Sequence, residues 1–173
     1  HPRLFHVTIA ANQTYDDGGG VEIYDASVTM TDTRIAGCSA GDDGGGLYAL
    51  TSDLTLIRVT IAGNHCGEQG GGMYLRSNST AVLRDVVLRG NESSIDCAGL
   101  WVEDTSATLD RVSITGNSAY SGGGGLCLDN ATAKLTDVIV SGNVGADGGG
   151  IRCSSSAPVL RNVHVSDNEA GRG

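Results

Sequence analysis

The sequence predicts an all-β chain wound into a parallel β-helix, a solenoid of roughly six coils with three strands and about 26 residues per coil. Three observations predict it. A glycine turn recurs at Gly18 to Gly20, Gly44 to Gly46, Gly70 to Gly72 and Gly148 to Gly150, with a copy padded by one glycine before Leu126, and an apolar residue follows each. An apolar-x-apolar-x-Gly-Asn phrase precedes most of these turns, as in Val59 to Asn64, Val86 to Asn91, Val112 to Asn117 and Val138 to Asn143. A third phrase, built on leucine, lies between the two: Leu54 to Leu56, Ala81 to Leu83, Ala107 to Leu109, Ala133 to Leu135 and Pro158 to Leu160. All three alternate with period two and none sustains a helical stripe, so each repeat holds three short strands.

The elements follow in order around each coil. The first strand leaves the glycine turn and points Val21, Leu47, Met73, Leu100, Leu126 and Ile151 inward, then Ile23, Ala49, Leu75, Val102, Leu128 and Cys153. A polar corner follows, as in Asp25 to Ser27, Thr51 to Asp53, Ser77 to Thr80 and Asp104 to Ser106, whose side chains can bond neighbouring backbone. The second strand contributes Met30, Leu56, Leu83, Leu109, Leu135 and Leu160 to the interior. A second corner, marked by Asp32, Arg58, Asp85, Arg111, Asp137 and Asn162, leads to a third strand with Ile9, Ile35, Ile61, Leu88, Ile114, Val140 and Val165 inward. The bend closing the coil carries Asn12, Asn64, Asn91, Asn117, Asn143 and Asn168, interrupted by Cys38. Stacked amides in such a column can bond along the axis and satisfy a tight bend, a structural role. Residues 1–173 read as a single domain, with a partial first coil over 1–17 and coils starting near 18, 44, 70, 97, 123 and 148. Because His1 falls at a third strand and Gly173 where another glycine turn is due, the expectation is a fragment or protomer of a longer solenoid.

Composition narrows the function classes. The formal net charge is −9, which argues against sequence-independent nucleic-acid binding and against an anionic membrane surface. No apolar run has the length to span a bilayer. Five cysteines, Cys38, Cys66, Cys97, Cys127 and Cys153, show no metal-site spacing, so no metal centre is expected. Cys38 and Cys66 fall in the same bend of adjacent coils and are candidates for a disulfide.

The glycine turns and Gly-Asn bends together resemble the right-handed parallel β-helix repeats of secreted and cell-surface proteins, in particular the polymorphic outer-membrane-protein type. That type pairs a Gly-Gly-x-Ile phrase with a Phe-x-x-Asn phrase, whereas this chain has Ile61, Leu88, Ile114 and Val140 where the phenylalanine stands. The resemblance implies adhesion, surface display or a fibre role outside the cell. Right-handedness also follows from the general preference of parallel crossovers.

Three surfaces are candidates for activity. Tyr48, Tyr74 and Trp101 alternate with core positions in adjacent coils, which predicts an exposed aromatic stripe roughly 10 Å long for a sugar or a protein edge. Beside it Arg76, Glu103 and Asp129 form the alternative, a pair of carboxylates with a cation for acidic polysaccharide hydrolysis or lysis. The repeats are too uniform to wall a catalytic cleft, so no enzyme is expected. Acidic residues before the glycine turns, Asp16, Asp17, Asp42, Asp43, Glu68, Asp96 and Asp147, raise calcium as a cofactor, although the column is broken and no nonapeptide calcium repeat is present. Sequons begin at Asn78 and Asn130 on outer corners, and at Asn12 and Asn91 on the bend. The function expected is an extracellular structural or adhesive module, partnered by further copies of itself stacked head to tail or laterally, or by a cell-surface protein or glycan. The alternative is a polysaccharide-binding or polysaccharide-cleaving protein using the outer face of the first sheet.

Overall fold

A computed structural model describes residues 1–171 and winds them into a solenoid in which each strand pairs in parallel with its equivalents in the neighbouring coils. The first sheet stacks Val21–Tyr24, Leu47–Leu50, Met73–Arg76, Leu100–Glu103, Leu126–Asp129 and Ile151–Ser154. The second stacks seven strands from Arg3–Phe5 to Val159–Arg161, and the third seven from Thr8–Ala10 to His164–Ser166. Where three strands per coil were expected, a fourth sheet of two-residue strands follows the asparagine bend, from Ser39–Ala40 to Glu169–Ala170. Its members carry too few residues to alternate, and backbone pairing alone defines them.

Register follows the columns read from the repeats. Met73 lies between Leu47 and Leu100, Leu83 between Leu56 and Leu109, and Leu88 between Ile61 and Ile114. These side chains are fully buried in one continuous core that runs the length of the molecule. On the last described coil the inner residues Leu160 and Val165 stand half exposed. The corners turn through single left-handed residues, Thr51 and Asp104 at the first, Asp32, Arg58, Asp85 and Arg111 at the second. At the second corner the left-handed column reads His6, Asp32, Arg58, Asp85, Arg111, Asp137, so opposite charges neighbour each other coil by coil. Arg58 grips Asp32 at 2.6 Å and Arg111 grips Asp85 at 2.7 Å, and a slip by one coil would set like charges together.

The asparagine bend is a hydrogen-bonded ladder. Asn91 Nδ2 donates to Asn117 Oδ1 at 2.9 Å and Asn117 Nδ2 to Asn143 Oδ1 at 2.8 Å, while each backbone N–H donates to the same oxygen. The second amide proton of Asn117 has the Leu88 carbonyl within 3.2 Å. The ladder runs from Asn64 to Asn168, and Cys38, whose N–H donates to Asn64, separates it from Asn12. Asn91 is buried and Asn12 exposed, so of the two bend sequons only the one at Asn91 is sealed by the ladder.

Cys38 and Cys66 are not bonded to each other. Both are buried free thiols, because Cys38 occupies the asparagine position and Cys66 lies in the short strand beyond it, paired with Ala40. Burial pushes the Cys66 thiol up to about 12. The disulfide instead joins Cys97 to Cys127, with Cα atoms 6.0 Å apart. Cys97 holds the first-glycine position of its turn, in left-handed backbone, and Cys127 points outward from the next coil.

Candidate binding surface

Alternation directs Tyr48, Tyr74 and Trp101 away from the central core, yet none is exposed: their accessibilities are 4%, 1% and 6%. The expected stripe is a second, smaller core. The arm carrying each glycine turn folds back over the strand it introduces, and a Cβ placed on Gly44 would lie 2.7 Å from Tyr48 Cβ. Beneath that cover Tyr48 and Tyr74 meet edge to face with centroids 5.6 Å apart, and Tyr74 and Trp101 are tilted at 5.5 Å. The Cys97–Cys127 bridge completes the cluster. Tyr74 donates to Glu103, and desolvation with that bond raises its phenol well above the usual range. The rings therefore offer no face to a sugar.

The alternative catalytic group is partly consumed by this cluster. Arg76 Nε lies 3.1 Å from Glu103 Oε2 and the guanidinium stands 5.9 Å from the Tyr74 ring centroid. Glu103 and Asp129 are register neighbours in adjacent strands, as the columns place them. With Tyr74 and Arg76 both bonded to it, Glu103 is held as a structural acceptor, whereas glycoside hydrolysis needs one carboxyl free to protonate the leaving oxygen.

The acidic residues before the glycine turns are likewise engaged with backbone. Asp17 Oδ1 accepts the Asp43 N–H and Asp43 Oδ1 accepts the Gln69 N–H, both at 3.0 Å. Asp96 Oδ1 accepts the N–H groups of Cys97 and Gly123, and its other oxygen holds Arg152, which lies over Trp101. Among the described residues no three His, Cys, Asp or Glu side chains converge on a common point.

What stands open is the first corner. Two shallow concavities of about 520 and 500 Å³ run along it and share Asn78. His1, Asp25, Ser27, Thr51 and Asp53 line one, and Asn78, Asp104, Thr105, Ser106, Asn130 and Thr132 the other, with no lysine or arginine in either and His1 the one basic side chain. A hydroxyl ladder forms the floor. Ser52 Oγ accepts the Ala26 N–H at 3.2 Å, Ser79 Oγ the Ser52 N–H at 3.0 Å and Ser156 Oγ the Ala131 N–H at 2.9 Å. Each hydroxyl donates in turn to a carbonyl of its own corner.

Thr105 breaks that ladder. It is 5% exposed and its Oγ1 has no hydrogen-bond partner among the described residues. Two sequence departures meet there. Met73 pairs with Leu47 but Thr80 with Asp53, which places the one extra residue of the repeat at Ser77 to Ser79, where Ser77 and Asn78 are both left-handed. One coil beyond Thr105, Ala131 carries no hydroxyl. Asn130 Nδ2 bridges across to Asp104 Oδ1 at 2.6 Å, and Asn78 and Asn130 are exposed. In the sequence these residues read as corner formers and sequons, and the groove they line is not apparent. The signal was the spacing of ten between Met73 and Leu83, where Leu47 and Leu56 are nine apart.

Fold and surface thus define a parallel β-solenoid whose lateral face carries an open polar groove. Within that class, the model for the right-handed beta helix region matches residues 5–118 and 46–173, so the chain belongs to the right-handed β-helix family. No curated protein matches the chain. The family holds polysaccharide-cleaving enzymes and non-enzymes alike, and many of its members are extracellular or surface-associated. Membership therefore fixes the fold and leaves the chemistry to the residues.

Proposed function

We propose that the chain is an extracellular adhesive module, a rigid rod that presents a lateral surface to a glycan or protein partner without cleaving it. One observation carries this reading. The coils repeat with separations of 25 to 27 residues, so no described coil extends a loop to wall a site, and the two concavities along the first corner are open and polar. Catalysis on a polymer needs a site that excludes water and holds a free acid. Here Glu103 is bonded by Tyr74 and Arg76. The Cys97–Cys127 bridge fits a protein that works in an oxidising compartment.

The test is co-sedimentation of the purified chain with a panel of neutral and acidic polysaccharides, each reaction assayed for new reducing ends and unsaturated products. Binding without product is the expected outcome. Turnover of any polymer would replace the adhesive reading with the enzymatic one.

A further inference from the structure

We propose that the outer face of the third sheet docks a second copy of this chain, with Arg34 and Arg89 of one copy meeting Asp16, Asp42 and Glu68 on the glycine arm of the next, so that rods associate side by side. The contact is separate from the first-corner groove, and the adhesive reading stands or falls without it.

Alternation sends Arg34 and Arg89 outward from the third sheet, on strands Arg34–Ala36 and Val87–Arg89, and both are exposed. Their neighbours on that face are small, as in Ala36, Thr60, Ala62 and Ser113, and no carboxylate shares the outward columns of the described strands. Neither arginine makes an ion pair or a side-chain hydrogen bond among the described residues. The second corner shows what a self-sufficient column looks like: Asp32, Arg58, Asp85 and Arg111 alternate in sign and neutralise one another within the chain. On the third sheet one sign stands alone.

The complement lies on another side of the same coil. Asp16, Asp42 and Glu68 are exposed on the arm in three adjacent coils, where the Asp42 N–H donates to the Asp16 carbonyl at 3.3 Å and the Glu68 N–H to the Asp42 carbonyl at 2.9 Å. Among the described lysines and arginines only Arg76 and Arg152 lie outside the second and third sheets and the corner joining them, and both are paired, with Glu103 and Asp96. The arm column therefore has no cation of its own to meet, and the sheet has no anion. Spacing favours a second copy over a foreign acidic partner. Arg34 and Arg89 are two coils apart, as are Asp16 and Glu68, about 10 Å along the axis in each case. Two rods of the same repeat laid side by side keep that match by construction. Because the two surfaces differ, the contact is heterologous, leaves one of each free and extends into a row. The net charge of −9 repels copies at long range, but at about 0.15 M salt the screening length of roughly 8 Å removes most of that repulsion and leaves pairs in contact.

Analytical ultracentrifugation of the full chain at up to about 1 mM, the range in which a few exposed ion pairs populate a contact, tests this with two variants. One carries Arg34→Gln and Arg89→Gln, the other Asp16→Asn, Asp42→Asn and Glu68→Gln. Wild type is expected to form a series of oligomers near 0.15 M salt that about 1 M salt dissolves. Each variant, melting as wild type does, should associate at least tenfold more weakly, although the two move the net charge in opposite directions. Mixed in equal amounts they should give a one-to-one pair and nothing larger, since one keeps only the arm surface and the other only the sheet. A wild type that stays monomeric, an assembly that stops at a symmetric dimer, or undiminished association by either variant overturns the proposal. So does a monomeric chain that binds polyphosphate through Arg34 and Arg89, which gives the face to a foreign anion. None of these outcomes touches the adhesive reading, which the polysaccharide panel tests separately.

Discussion

Asp43 shows how a single side chain in this repeat serves the coil above it. Its carboxylate accepts the Gln69 N–H, a bond any acceptor of that length can make. The charge is what the site tolerates poorly. Burial pushes the Asp43 carboxyl up to about 6, with Asp17 and Glu68 adding to the rise and the Gln69 N–H and Arg76 opposing it. The unfolded chain releases this proton near 3.8 and the folded chain near 6, so the folded state holds more protons between those values. Stability from this group is complete below the lower value and is lost as the pH rises through about 6. Asp43→Asn keeps a carbonyl acceptor and removes the charge. It should stabilise the chain at pH 7 by about 1–2 kcal/mol and flatten the melting temperature between pH 4 and 6. Thermal melts across that range check it, and a variant whose pH profile keeps the wild-type slope refutes the assignment.

At the scale of the element, the glycine turn is built from backbone packed on backbone. A Cβ on Gly45 would meet the His65 carbonyl oxygen, near the end of the same coil, at 2.3 Å and the Gly71 oxygen of the next coil at 2.6 Å. No side chain stands there to swing aside, so Gly45→Ala must separate two coils. A loss of about 3 kcal/mol is expected, the upper end of overpacking costs, measured by urea denaturation; a neutral change would show that adjacent turns do not touch. The same close approach explains which parts of the molecule are legible in sequence. Inner columns such as Leu56, Leu83 and Leu109 are readable because period-two alternation fixes both direction and burial when the interior is a continuous core. For Tyr48 and Tyr74, alternation gives the direction, away from that core, and says nothing of the glycine arm that folds over them. The trace left in sequence is a glycine four residues earlier, at Gly44 and Gly70. The groove is legible only as a one-residue irregularity, because a repeat reveals its special coil by departing from the period. The two-residue strands of the fourth sheet, such as His65–Cys66 and Glu92–Ser93, have no pattern at all.

Across the whole molecule, each coil touches only its neighbours, so stability is a sum of local interfaces and the weakest one sets where the rod opens. The coil beginning at Cys97 lacks the first two glycines of the turn, and there backbone packing is replaced by a covalent link. Cys97 occupies the glycine position and bonds Cys127 of the following coil, closing a segment with a sequence separation of 30 beside Trp101. On the loop-entropy account a closed segment of that length contributes about 3–4 kcal/mol. Because the link joins two adjacent coils in mid-rod, its loss should act locally. Reduction, or the paired substitution Cys97→Ser and Cys127→Ser, should lower the melting temperature by roughly 10 °C, taking about 2–4 °C per kcal/mol for a chain of this size. Amide exchange should quicken first in Leu100–Glu103 and Leu126–Asp129, while Ile35 and Ile61, one end away, keep their protection. Uniform loss of protection along the rod would mean that the coils melt as one unit and that the bridge staples the whole solenoid. Unchanged melting after verified reduction would instead show that the buried cluster of Tyr48, Tyr74 and Trp101 holds those coils together without it.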